Sequence, residues 1–141
     1  MTTAEETDNP AARLGLQSGQ VVLEIGGDQD SDQELRTGIV SVTGQELVDD
    51  DHADGADVVL LWFRDQDGDL GEALVDAAVY LVEGGQIWLL TPKTGRDGYI
   101  EASDIGEAAT SMGLARHGSA SVCTDWTGTR LTQPRTRSSV R

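Results

Sequence analysis

The apolar residues of this chain fall into two alternating rhythms. Short apolar runs at Val21-Val22-Leu23-Glu24-Ile25, Val58 to Phe63 and Ile87 to Thr91 have strand length, and near-continuous apolarity marks a strand covered on both faces. Between them, apolar positions recur every three or four residues, the spacing of one helix face. Ser31 followed by Glu34 reads as a capping box, and Leu35, Ile39 and Val42 then share a face until Gly44 stops the turn. Asp69 with Glu72 opens a second helix, its stripe Leu70, Ala73, Leu74, Ala77, Ala78 and Leu81, with Gly84-Gly85 closing it. Asp104 with Glu107 opens a third, its stripe Ile105, Ala108, Ala109 and Met112, ended by Gly113. Glu46-Leu47-Val48 reads as a brief extra strand, and Pro92 ends the run that begins at Ile87. Arg116 to Cys123 and Thr129 to Thr132 read as two strands joined by a turn around Gly128.

The order is β-α-β, then β-α-β-α, then a β-hairpin. Such alternation implies an α/β fold: a small three-layer Rossmann-like sandwich, mainly parallel in its sheet, with a C-terminal antiparallel hairpin. A chain of 141 residues has room for one such domain. Aromatic residues make up 4% of it, so Val, Leu, Ile and Ala must fill the core. Residues 1–13 are polar and aperiodic and read as a disordered acidic arm, 14–134 as the domain, and 135–141 as a basic flexible tail.

Charge narrows the possible functions. The formal net charge is -15, which opposes binding to nucleic-acid phosphates. Glu24 to Glu83 holds 17 acids and two bases, Arg36 and Arg64, and Asp49 to Asp57 reads as an acidic loop. No acid follows Asp125, whereas Arg130, Arg135, Arg137 and Arg141 do, so the tail is expected to fold back on the acidic body. The apolar runs are too short to span a membrane. The start lacks the basic and apolar stretches of a signal peptide, so a cytoplasmic protein is expected. Cys123 is the single cysteine, so no internal disulfide is possible.

In open α/β sheets, ligands bind beyond the carboxyl ends of the strands. Those ends here carry Glu24-Ile25-Gly26-Gly27, Asp49-Asp50, Arg64-Asp65-Gln66-Asp67 and Pro92-Lys93-Thr94-Gly95. Gly26 and Gly27 would let backbone approach a ligand, Asp49 could accept from a ribose hydroxyl, and Glu24 would stand beside the same adenosyl ligand. This arrangement is similar to the cofactor site of Rossmann-like methyltransferases. It lacks the G-x-G-x-x-G fingerprint, and Asp28, Asp30 and Asp32 crowd the place where a pyrophosphate would sit. Cationic S-adenosylmethionine is penalised less than NAD or ATP. Lys93, the sole lysine, forms a cationic spot with Arg96 that could hold a carboxylate. The Asp65-x-Asp67-x-Asp69 and Asp28-x-Asp30-x-Asp32 spacings imitate calcium loops but lack Gly at position six and Glu at position twelve. The run Asp49-Asp50-Asp51-His52 reads as a solvated loop, and His117 as a surface or structural residue. No nucleophile elbow or triad spacing occurs. Trp62 and Trp88 lie within strands, whereas Trp126 is placed at the hairpin turn, where partial exposure would suit it, with Arg130, to partner contact.

Leu14-Gly15-Leu16, Gly19-Gln20-Val21, Gly84-Gly85 with Ile87-Trp88, Thr91-Pro92-Lys93 and Asp125-Trp126-Thr127-Gly128-Thr129-Arg130-Leu131 stand in an order and spacing that resemble the bacterial family called domain of unknown function 3052. The resemblance implies a Rossmann-like domain related to methyltransferases but shortened, and it assigns no catalytic residue. The expected function is therefore a non-catalytic interaction or regulatory protein that needs no cofactor and contacts a protein partner through its acidic surface. The alternatives are a small-molecule binder or methyltransferase using S-adenosylmethionine, and an accessory subunit of a larger enzyme.

Overall fold

The structure, a computed structural model, describes residues 14–27, 32–48, 55–122 and 125–133, apart from the side chains of Glu83, Ala120 and Ser121. Among these residues, five strands and three α-helices follow one another as β1 (Val22–Ile25), α1 (Gln33–Thr43), β2 (Ala56–Trp62), α2 (Leu70–Ala78), β3 (Leu81–Pro92), α3 (Ala102–Ser111), β4 (Ala115–Ser121) and β5 (Trp126–Thr132). They form one sheet in the order β1-β2-β3-β5-β4. β1, β2 and β3 are parallel, and β5 runs antiparallel to both β3 and β4.

Period-two alternation divides the core into two layers. Val58, Leu60 and Trp62 of β2 face α1 with Trp88 and Leu90 of β3, and Leu35 and Ile39 cover them. Val59, Leu61 and Phe63 point the other way with Ile87 and Leu89, under Leu70 and Leu74 of α2 and Ile105 and Ala109 of α3. A central strand buried on both sides must be apolar at every position, which is why the 58–63 run has no polar break. Leu14 and Leu16 also lie on the α1 side, where the Leu14 carbonyl accepts from Trp88 Nε1 at 3.1 Å.

Several local expectations shift. The cap of α1 is Asp32 rather than Ser31, which lies outside the described residues: the Asp32 carboxylate accepts from the Leu35 N–H at 2.9 Å. Asp32→Ala should therefore cost about 1 kcal/mol, measured by urea unfolding. The expected strand at Glu46-Leu47-Val48 contracts to an isolated parallel bridge between Leu23 and Val48. α3 begins at Ala102 behind Glu101, so Asp104 sits in its first turn instead of capping it.

α2 ends at Ala78, well before Gly84-Gly85, and Leu81 belongs to a strand rather than to the helical stripe. The glycine pair lies inside β3, where the register against β2 slips. Gly84 has φ +83°, and a Cβ on Gly85 would lie 3.0 Å from the Asp57 carbonyl oxygen, so the pair permits a bulge pressed against β2. Gly128, expected at the hairpin turn, pairs with Leu90 inside β5, and the turn falls between Ser121 and Trp126. A Cβ there would meet Val122 Cγ2 at 2.4 Å and Trp88 Cε3 at 3.1 Å, so close packing demands this glycine. The expected acidic loop of 49–57 is cut short, since Ala56 and Asp57 belong to β2; its residues 49–54, the expected N-terminal arm, Cys123 and the basic tail lie outside the described residues.

Candidate functional site at the carboxyl ends of the strands

β1, β2 and β3 are parallel, so their carboxyl ends share one edge of the sheet and bring Glu24, Trp62, Arg64 and Lys93 to it. The Glu24 carboxylate sits at the centre of the β1 end. Its Oε2 accepts from Arg36 Nε at 2.5 Å and from the Trp62 indole Nε1 at 2.8 Å. Arg36 comes from the first turns of α1, where its Nη1 also donates to Gln33 Oε1 at 3.2 Å. Its guanidinium carbon stands 5.8 Å from the Trp62 ring centroid. The Glu24 and Arg36 side chains are only 19% and 22% exposed, so this pair is better shielded than an ordinary surface salt bridge.

The glycine turn after β1 is enclosed by the same groups. A Cβ on Gly27 would lie 2.3 Å from Arg36 Nη2, so the guanidinium rests directly on that backbone. Gly26 adopts φ +80°, and its own Cβ would fall 2.3 Å from the Trp62 carbonyl oxygen. The Gly26 carbonyl accepts from Arg64 Nη1 at 3.1 Å. Arg64 is 8% exposed and also pairs with Asp67 at 3.1 Å, while its guanidinium carbon lies 5.1 Å from the Trp126 ring. Trp126 meets Trp62 edge-on, with centroids 4.9 Å apart and planes at 84°. The groups thus close a ring: Glu24 to Trp62, Trp62 to Trp126, Trp126 to Arg64, and Arg64 back to Gly26.

The structure therefore brings together Glu24, Gly26 and Gly27 of the expected residues, and Asp49 lies outside the described ones. Lys93 follows β3, two strands or about 10 Å from β1. It is half-buried, and its N–H donates to the Asp125 carbonyl at 3.0 Å. Next to it, Arg96 pairs with Asp125 at 3.1 Å beside a cleft of about 460 Å³ lined by Pro92, Gly95 and Trp126. The expected partial exposure of Trp126 is not found: it is 3% exposed, because β5 starts at this residue and carries its ring under Arg64 and against Trp62. Arg130 is exposed in mid-strand, its Nε donating to Gln86 Oε1 of β3 at 2.5 Å.

Arg36 and Arg64 were missed as site residues. The available signal was their rarity, since they are the only two bases between Glu24 and Glu83. An adenosyl ligand at this edge needs an open glycine turn and an acid free to hold it. In the described residues the turn is covered by Arg36 and the acid is neutralised by it, so they do not fit S-adenosylmethionine as they stand. Among the described residues no group of three or more His, Cys, Asp or Glu could hold a metal ion, and no helix is long and apolar enough to cross a membrane.

The fold is that of Rossmann-like methyltransferases. An O-methyltransferase of neocarzinostatin biosynthesis (NcsB1), solved with S-adenosylmethionine and 2-hydroxy-5-methyl naphthoic acid, superposes with a TM-score of 0.65 at 14% identity, over 93% of this chain and 52% of that one. The precorrin-6y C5,15-methyltransferase of Geobacter metallireducens matches at TM-score 0.57 and 13% identity, over 95% and 90%. This chain thus spans about half the length of NcsB1. Residues 11–135 match the family described as "Protein of unknown function (DUF3052)", and the chain belongs to that family. Uncharacterized proteins of Mycobacterium tuberculosis (Rv2239c) and Mycobacterium bovis (Mb2263c) are each 42% identical to it over 141 residues, the whole of this chain and 89% of theirs.

Proposed function

We propose that this protein is a non-catalytic interaction or regulatory domain, built on a methyltransferase scaffold whose cofactor position is filled by its own side chains. The observation that carries the reading is Arg36, tied to Glu24 and lying where a Cβ on Gly27 would stand 2.3 Å from its Nη2. At the Gly26-Gly27 turn a ligand would have to displace a guanidinium from a carboxylate and from the face of Trp62. The net charge of -15 favours a basic protein partner over nucleic acid. The role of accessory subunit in a larger enzyme is the same reading with an enzyme as the partner.

Titration of the protein with S-adenosylmethionine and with S-adenosylhomocysteine in a calorimeter should give no heat of binding. Affinity at or below about 100 μM, roughly -5.5 kcal/mol, lost in Glu24→Ala, would overturn the reading in favour of a methyltransferase-type binder.

A further inference from the structure

On the face of the sheet opposite α1, helices α2 and α3 leave a trough between them. At one end it is apolar and about 450 Å³ in volume, flanked by Val75 of α2 and by Val79, the residue that caps its C-terminus, which are 45% and 75% exposed. At the other end is a depression of about 430 Å³ floored by Phe63 and Ile100, with Asp65, Asp69, Asp104 and Glu107 exposed around its rim. Met112 lines both ends. It is 39% exposed, and its Cε lies 3.4 Å from where a Cβ on Gly71 would be, so an adaptable thioether side chain stands between α2 and the end of α3 where the two ends meet. None of the four rim carboxylates makes an ion pair with another described residue; the pairs of Arg36, Arg64 and Arg96 lie elsewhere.

The chain leaves the described fold at the apolar end of this trough. Gln133, the last described residue, lines it, and its Nε2 reaches the Ala78 carbonyl oxygen at 3.4 Å. The next residues, Pro134-Arg135-Thr136-Arg137-Ser138-Ser139-Val140-Arg141, carry three arginines and no acid. We propose that this trough is a docking site for residues 134–141, which enter at Gln133 and lay their arginines against the carboxylates beyond Met112.

Reach and charge both fit. An extended chain covers about 3.3 Å per residue, so 134–141 spans about 26 Å. α2 is about 14 Å long at 1.5 Å per residue, so the segment can pass Met112 and arrive at the rim. Arginine stems cover apolar surface while their guanidinium groups reach outward, which suits a trough apolar along its length and acidic at its end. Arg135 and Arg137 are two apart, so on an extended segment they project to the same side. The attraction is between exposed charges and must weaken as salt shortens the Debye length. The proposal concerns the face opposite Arg36 and stands or falls independently of the cofactor position.

The test is methyl NMR on the full-length chain, comparing it with the full-length variant Arg135→Glu/Arg137→Glu/Arg141→Glu at low salt. The Met112, Val75 and Val79 methyl signals should move by more than a linewidth in the variant, while Ile39 and Val22 on the α1 side stay in place as a control of folding. Asp104→Lys/Glu107→Lys should reproduce the displacement, and about 0.5 M salt should produce much of it in the unaltered chain. Unmoved Met112 and Val79 signals in the triple variant would overturn the proposal. Displacements that grow with protein concentration would overturn it equally, by making a second copy the occupant.

Discussion

Replacing Trp126 by alanine should destabilise the protein by about 4 kcal/mol, more than any substitution at an exposed residue. Removing a buried tryptophan side chain typically costs about 3–5 kcal/mol through lost transfer energy and the cavity left behind. The ring at 126 is 3% exposed and meets Trp62 edge-on at 4.9 Å, a pairing that adds about 1 kcal/mol beyond its area. It also covers Arg64, whose guanidinium carbon is 5.1 Å from the ring and which would be left facing a void. Urea unfolding measures the loss directly. A midpoint within about 0.5 kcal/mol of the unaltered protein is what an exposed contact residue would show, and it would refute the burial described above. Arg130→Ala, which removes an exposed side chain bonded to Gln86, should stay inside that limit.

Gly26→Ala should cost about 3 kcal/mol, for two reasons that a comparison can separate. At φ +80° an L side chain carries about 1–2 kcal/mol of strain. The new Cβ would also lie 2.3 Å from the Trp62 carbonyl oxygen, a backbone atom in the middle of the sheet edge that cannot swing aside. Gly44 has φ +78° and nothing within 4 Å of its Cβ position, so Gly44→Ala bears the strain alone and should cost about 1 kcal/mol. Thermal or urea unfolding of the two variants gives the difference. Equal losses would mean that the β1 turn is not pressed against the end of β2.

Both substitutions probe one structural fact: the edge of the sheet that would receive a ligand is packed with the protein's own side chains. Glu24 is engaged by Arg36 and Trp62, and Gly26 by Trp62 and Arg64. In a domain that spans about half the length of NcsB1, these contacts hold the ends of β1, β2 and β5 together. The same groups that we propose fill the cofactor position therefore also stabilise the fold.

The local errors of sequence reading have a common origin. The helical stripe of α2 carried on to Leu81 because periodicity does not register that Val79 and Tyr80 already turn the chain toward β2. Local pattern places Gly84-Gly85 at a helix end and Gly128 at a turn, the usual places for glycine. Here they serve close approach, to Asp57 in one case and to Val122 and Trp88 in the other. Such approaches join residues far apart along the chain, and no local pattern contains them. Trp126 was misplaced with Gly128, since moving the turn toward the N-terminus carried the ring from the surface into the core.

Apolar periodicity by itself determined the alternation of strands and helices, the burial of β2 and β3 on both faces, the helix stripes and the parallel sheet with its closing hairpin. These follow from local spacing and from the need to cover each apolar face. Tertiary structure alone decided what stands at the sheet edge. Arg36 lies 12 residues from Glu24, Trp62 lies 38, and Arg64 lies 38 from Gly26. Only the crossover connections bring them within hydrogen-bonding distance, and charge counted along the chain cannot tell a solvated arginine from one laid over a glycine turn.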